Sequence, residues 1–292
     1  MKPIESIIRS NEPQPLCAPA KAACQGVAGA FSHQACLAVF DQPEIQFFPH
    51  FEDVFQAVSS GACHYGIIPI ENTLAGSVSD NYDLMLQYHL HIVGTVTVKI
   101  EHSLLALPDA CEQGLREVYS HDQALHQCSD FLKAHPQLTP HPYSNTAASA
   151  QLIAERQDPS LAAIGSPECA RLYGLKVLHR SIQNRRDNFT RFVVLAKHPV
   201  THPDCDRISL IVRVQHQAGA LYRALSRFAN QDINLLKLES RPIPDSPFEF
   251  LFYWDFAGNM QDPRIQAALG TLIQDIEYVK FLGNYPSQPD QE

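Results

Sequence analysis

Hydroxyl and amide residues gather at five places where a short apolar run gives way to an amphipathic one. "GVAGAFSH" holds Gly26, Gly29 and Ser32, and "PIENTLAGSVSDN" holds Glu71, Asn72, Thr73, Gly76 and Ser77. "YSHDQ" holds Ser120 and Gln123, "YSNTAAS" holds Ser144, Asn145 and Thr146, and "GSPE" holds Ser166. Lysine and arginine are nearly absent from all five. Helix N-termini carry unpaired N–H groups and partial positive charge, so several aimed at one cleft could hold an anion without a formal cation. The same residue types are also what ordinary helix caps use. "IENTLAGSV" carries more than one cap needs: a carboxylate, an amide, a hydroxyl and a glycine. A sixth stretch, "DNFTRFVVLA", reads as a turn and then a strand. A strand's side-chain period of two puts Thr190, Phe192 and Val194 on one face and Phe189, Arg191, Val193 and Leu195 on the other. Thr190 beside Phe192 is either strand packing of the usual kind or a proton donor beside an aromatic wall.

The elements that must position these residues follow from periodicity. From Ala22 to Gly174, short apolar runs alternate with helical stretches. Phe51, Val54, Phe55 and Val58 show the i, i+3, i+4, i+7 spacing of an amphipathic helix. "HDQALHQCSDFLKA" predicts one helix with Ala124, Leu125, Cys128, Phe131 and Leu132 on its apolar face. In "SPECARLYG", Ser166 suits an N-cap, Pro167 the first helical position and Gly174 the end. Strands alternating with helices predict an α/β fold with largely parallel sheets. From Asp206 the order becomes β-α-β-β-α-β, a ferredoxin-like domain of about eighty residues.

Whole-chain properties exclude several classes. The chain has 292 residues, 45% hydrophobic content and a formal net charge of −9. No basic stripe marks a nucleic-acid surface and no apolar run reaches membrane-span length. Eight scattered cysteines without a CxxC pair predict reduced thiols in a cytoplasmic protein. "HPVTHPDC" places His198, His202 and Cys205 together, but Pro199 and Pro203 break any helix that could align them, so it reads as a linker. There is no complete dinucleotide fingerprint, Walker motif, nucleophile elbow or zinc signature. No cofactor and no metal are expected.

"GVAGAFS", "GIIPIENTLAGSVSDNYDLM", "SHDQALHQC", "NTAASA" and "NFTRFVVLA" resemble, in order, the motifs of prephenate dehydratases. "GALYRALSRFA" and "INLLKLESRP" resemble the regulatory ACT domain attached to those enzymes. The resemblance spans roughly residues 22 to 286. It implies conversion of prephenate to phenylpyruvate in phenylalanine biosynthesis, with phenylalanine as feedback inhibitor. The alternatives are an arogenate dehydratase making phenylalanine directly, or a non-catalytic amino-acid sensor. The implied fold is a two-lobed, periplasmic-binding-protein-like (type II) catalytic domain at 22–200, with lobe one at 22–100 and 180–200 and lobe two at 101–179. An irregular arm at 1–21, a linker at 201–206, an ACT domain at 207–286 and a tail at 287–292 complete the division.

The resemblance implies Thr190 as the principal catalytic residue, with Asn72, Ser120 and Gln127. It implies Ser32, Glu71, Thr73, Asn145, Thr146 and Phe192 as substrate contacts. Phenylalanine would bind Gly219, Ala220, Leu221, Glu239, Ser240, Arg241 and Pro242 near a subunit interface of a homodimer or homotetramer. Ala75, Asp122, Asn145 and Ala218 depart from residues frequent in the family.

Overall fold

The computed structural model describes residues 20–199, 203–243 and 246–287. Most of the expected N-terminal arm, His202 of the linker and the tail from 288 lie outside the described residues. Along the chain come β1 (Lys21–Gln25), α1 (Phe31–Val39), β2 (Glu44–Phe48), α2 (Phe51–Ser60), β3 (Tyr65–Asn72), β4 (Gly76–Ser77), α3 (Ser79–Gln87) and β5 (His91–Lys99). Next are β6 (Ser103–Ala106), β7 (Glu117–Ser120), α4 (Asp122–Gln127), α5 (Ser129–Ala134), β8 (Thr139–Pro142), α6 (Thr146–Arg156), β9 (Leu161–Gly165), α7 (Pro167–Tyr173), β10 (Lys176–His179) and β11 (Phe189–Ala196). The last six are β12 (Arg207–Val214), α8 (Ala220–Ala229), β13 (Leu235–Ile243), β14 (Ser246–Ala257), α9 (Pro263–Leu272) and β15 (Ile276–Tyr285).

Three sheets result. The first has the order β2-β1-β3-β11-β5, with β4 paired to β3; the second is β10-β6-β9-β7-β8; the third is β13-β14-β12-β15. The first two are mixed rather than largely parallel. The chain leaves the first sheet after β5, builds the second and returns through β11, which runs antiparallel to both β3 and β5. In the second sheet β7 is parallel to β8 and β9, while β6 is antiparallel to β9 and β10.

Alternate residues of β1 and β3 enter different cores. Ala22, Cys24 and Ile67 pack with Ala35, Cys36 and Phe40 under α1. Ala23 and Ile68 pack with Val54, Phe55, Tyr82 and Met85 under α2 and α3. Burial on both faces explains why these strands read as continuous apolar runs. The third sheet has the β-α-β-β-α-β order expected. One face carries α8 and α9, through Phe228, Ile265 and Leu269 against Leu210, Trp254 and Phe256. Its other face sends Ile211, Leu251, Tyr253 and Leu282 into the core of the first sheet. A Cβ on Gly283 would stand 2.0 Å from the Ile92 carbonyl oxygen, so only glycine lets β15 approach β5 this closely.

Two details differ from the sequence pattern. The expected single helix after Ser120 is broken at Cys128 into α4 and α5. The Gln127 carbonyl accepts from the Asn184 backbone N–H at 2.7 Å instead of from a helical partner, and Asn184 Oδ1 accepts from the Asp130 N–H. Insertion of a remote residue into the ladder ends the helix. Ser166 does sit at the N-cap of α7, but its hydroxyl makes no cap bond and points to the Gly29 carbonyl oxygen at 3.4 Å. No helix among the described residues is long and apolar enough to cross a membrane. The seven described cysteines form no disulfide with one another.

Candidate active site

A cleft of about 500 Å³ opens between the first and second sheets. Its first wall carries Ser32 at the start of α1, Asn72 and Ser77 around the β3–β4 turn, and Thr190 and Phe192 on β11. Its second wall carries Gln127 on α4 and Asn145 and Thr146 at the start of α6. No lysine, arginine, aspartate or glutamate is among the described residues that line it. The starts of α1, α4 and α6 all reach this space. Four of the five junctions therefore converge, and the Ser166 junction instead joins the two lobes below the cleft. There the Gly29 backbone lies so close to α7 that a Cβ would meet Cys169 Sγ at 2.9 Å.

Strand β11 is held on both sides, Thr190 lying opposite Asn72 on β3 and Val98 on β5. Its alternation sends Thr190 and Phe192 into the cleft, while Phe189 and Arg191 line a separate recess on the other side. Asn72 organises the catalytic candidate. Its Oδ1 accepts from the backbone N–H groups of Leu74 and Ala75, at 3.0 and 2.9 Å, which fixes the amide orientation because those groups can only donate. Its Nδ2 then donates to Thr190 Oγ1 at 3.0 Å and to Asn188 Oδ1 at 2.7 Å. Thr190 thus accepts from Asn72, and its own O–H finds no acceptor among the described residues and is left for the cleft.

The chain of fixed orientations continues. Asn188 Nδ2 donates to Gln127 Oε1 at 3.0 Å, so that oxygen is an acceptor, and His102 Nε2 at 3.0 Å from it must carry the proton. Burial holds the His102 pKa down at about 4, against a weaker opposing effect of the Gln127 hydrogen bond. His102 is therefore a neutral donor at neutral pH, its ring edge against Phe31. Neither His102 nor Asn188 is among the expected site residues, although Asn188 opens the "NFTRFVVLA" motif. The available signal was position: His102 lies in the segment that leaves the first sheet, and Asn188 in the one that returns.

One expected catalytic residue, Ser120, and two expected substrate contacts, Glu71 and Thr73, lie elsewhere. Ser120 is fully buried and donates to the Ile164 carbonyl oxygen at 2.6 Å, bracing β7 against β9. Thr73 Oγ1 donates to the Asp187 carbonyl oxygen at 2.9 Å and faces the Arg191 side. Glu71 pairs with Arg191 at 3.1 Å and with Lys237 at 3.0 Å, also away from the cleft. For Glu71 the cause is the two-residue period of β3, since Asn72 faces the cleft, while Thr73, past the strand end, is held by the Asp187 carbonyl and the Phe189 N–H.

The expected effector residues fall into two groups. Gly219 has φ of +76° at the N-cap of α8, and Ala220 and Leu221 line a pocket with Arg213, Glu249 and Phe250. Glu239, Ser240, Arg241 and Pro242 do not line that pocket within one chain. On β13, Lys237, Glu239 and Arg241 point inward and alternate with exposed Leu236, Leu238, Ser240 and Pro242. Glu239 Oε2 accepts from Ser77 Oγ at 2.8 Å, and Arg241 makes a two-point pair with Asp83 at 3.3 and 2.7 Å. Ser77 also lines the cleft, so β13 touches the site from behind.

His91 and His102 give the fold a pH dependence. Burial lowers both to about 4, while an unfolded histidine titrates near 6.5. Between these values the unfolded chain binds more protons, so stability rises with pH across that window and levels off above it. Each pKa unit of displacement is worth about 1.4 kcal/mol per histidine. Urea unfolding is expected to show a lower midpoint at pH 5 than at pH 7.5, and His102→Gln should narrow the gap.

A family model described as prephenate dehydratase matches residues 22–200. The bifunctional chorismate mutase/prephenate dehydratase of Escherichia coli (strain K12) is 38% identical over 275 residues, 92% of this chain and 71% of the relative. Arogenate dehydratase 2 of Petunia hybrida is 39% identical over 284 residues, 91% of this chain and 72% of the relative. The structure of prephenate dehydratase from Arthrobacter aurescens in complex with L-Phe matches with a TM-score of 0.84 and 28% identity, covering 91% of this chain and 90% of that one. GqqA, described as a novel type of quorum-quenching acylase, matches with a TM-score of 0.85 and 31% identity over 92% of this chain and 98% of its own.

Proposed function

The chain belongs to the prephenate dehydratase family, and on that footing we propose that its cleft converts prephenate to phenylpyruvate, with Thr190 as the catalytic residue. The observation that carries the reading is the Asn72–Thr190 hydrogen bond, which leaves the threonine O–H free to donate. In the reaction the bond from ring to carboxylate breaks and CO2 leaves. The electron pair enters the ring, the ring C–O bond breaks, and the departing oxygen takes a proton and leaves as water. Aromaticity supplies much of the driving force. The chain's residues must orient the ring, hold the substrate carboxylates and assist the leaving oxygen.

Thr190 donates a hydrogen bond to that oxygen, and Asn72 stabilises charge gathering on Oγ1. The neighbours are amides and a neutral imidazole, so the proton comes ultimately from solvent. Phe192 packs against the ring. The helix starts bearing Ser32 and Thr146 supply N–H groups for the carboxylate that stays. A cleft wall without cations suits the carboxylate that leaves, because a tight ion pair would stabilise the ground state. No cofactor is proposed. An acylase reading is not favoured, because no base among the described residues reaches the Thr190 hydroxyl.

Residues 22–200 form the catalytic domain and 207–286 an ACT regulatory domain in this reading. Phenylalanine bridges Gly219–Leu221 of one chain and the Glu239–Pro242 strand of another in a homodimer or homotetramer. The exposed Leu236, Leu238, Phe248 and Phe250 of the third sheet support such a contact. The reduced-cysteine pattern supports a cytoplasmic location. Incubating purified protein separately with prephenate and arogenate tests the substrate. Phenylpyruvate formation with the higher kcat/KM on prephenate is expected; preference for arogenate would make it an arogenate dehydratase, and binding without turnover a sensor.

A further inference from the structure

Outside the cleft, Glu112, His135 and His179 bring three ligand atoms within 4.8 Å of one another. They come from distant parts of the second lobe. Glu112 opens a 3-10 turn (Glu112–Gly114) after β6, His135 is the C-cap of α5, and His179 ends β10. None of them lines the cleft. We propose that these residues form a binding site for a borderline first-row divalent cation, best matched by Zn2+, that ties the three segments together.

The spacing fits. Glu112 Oε1 stands 3.0 Å from His179 Nε2 and 3.5 Å from His135 Nε2. Ligands about 2.0–2.1 Å from a tetrahedral ion lie roughly 3.3–3.4 Å from each other, and the two distances bracket that value. The orientation fits as well. His135 Nδ1 lies 2.8 Å from the Phe131 carbonyl oxygen, which can only accept, so the proton sits on Nδ1 and the Nε2 lone pair faces Glu112. A histidine held through its other nitrogen by a carbonyl is the usual supporting arrangement of a metal ligand. The Nε2 of His179 is buried and makes no hydrogen bond, although the Glu112 carboxylate is beside it. A cation between them would satisfy that nitrogen.

The surroundings also suit an ion. Phe131 stacks on His135 with ring centroids 4.0 Å apart and stands 5.3 Å from His179, forming an apolar wall. The three side chains are 39%, 22% and 36% exposed, in the order Glu112, His135, His179, so solvent reaches the cluster and an ion there would complete its shell with water. Two imidazoles and one carboxylate are a donor set suited to zinc, cobalt or nickel rather than magnesium or calcium. Because β10 leads through residues 180–188 to β11, the ion would anchor the lobe from which the Thr190 strand returns.

Full-chain protein stripped with chelator and titrated with Co2+ tests the site. One Co2+ per chain with visible absorption of tetrahedral type is expected, displaced by Zn2+. Glu112→Gln, His135→Gln and His179→Gln should each weaken binding about tenfold or more, while His126→Gln, at an exposed pair with Asp122, should bind as wild type. Glu112→Gln should keep its turnover, and it decides the matter alone if a histidine variant does not fold. Absence of saturable uptake, or uptake unchanged by these substitutions, would overturn the proposal and leave the cluster as ion pairs.

Discussion

Thr190→Ala is expected to lower kcat by about 10²–10⁴-fold while the protein stays folded, the range that assistance to a leaving group supplies. Thr190 is only half-buried, and strand β11 is held by main-chain pairing to β3 and β5, so loss of the hydroxyl removes chemistry before it removes structure. Thr190→Val, which keeps the branched shape, should fall as far as the alanine variant, because the donor and not the methyl is at stake. Thr190→Ser should keep part of the rate, since Asn72 Nδ2 can still reach a serine oxygen. Single-turnover measurement on prephenate, with circular dichroism to check folding, separates the cases. Near-normal turnover in folded Thr190→Val would remove the residue from the mechanism.

The same strand shows how far the sequence could be read. Its period of two assigned Thr190 and Phe192 to one face and Arg191 to the other, and the two faces meet different surroundings: the cleft in front and the third sheet behind. The hydroxyl-rich junctions were legible because helix starts have a local chemistry. What local chemistry does not carry is which way a turn residue faces once a second strand pairs beside it. Glu71 and Thr73 sit on either side of Asn72, and β4 folds back on β3 there, sending both away from the cleft. Ser120 looked like a site hydroxyl but serves the packing of β7 on β9. The break at Cys128 depends on Asn184, which is more than fifty residues away. Asn188 stands two residues before Thr190 and shares its face by the same period, whereas His102 and the Glu112–His135–His179 cluster are products of tertiary return that no spacing rule along the chain reports.

On the proposed phenylalanine regulation, Asp83→Asn is expected to lower basal kcat toward the phenylalanine-inhibited level and to leave little further inhibition by added phenylalanine. Coupling between sites is typically worth 5- to 150-fold in affinity, and a phenylalanine effect of that size has to pass through groups that differ between two states. Behind the cleft, Arg191, Glu71 and Lys237 form one run of ion pairs, Lys237 donates to Ser77 Oγ at 3.0 Å, and Ser77 donates to Glu239. Arg241 holds Asp83 on α3, and Lys280 donates to the carbonyls of Met85, Leu86 and Tyr88 where that helix ends. An effector that engages Glu239 and Arg241 must compete with these bonds, and each bond it releases frees the β4–α3 segment carrying Ser77 at the cleft wall. Asp83 is outside the cleft, so its amide variant releases the β4–α3 segment as the effector would, without removing a group that touches substrate. Calorimetry should find phenylalanine still bound by Asp83→Asn, whereas Arg241→Ala should lose binding and inhibition together. Wild-type inhibition in Asp83→Asn would show that the signal travels by another route, such as a rearrangement between chains.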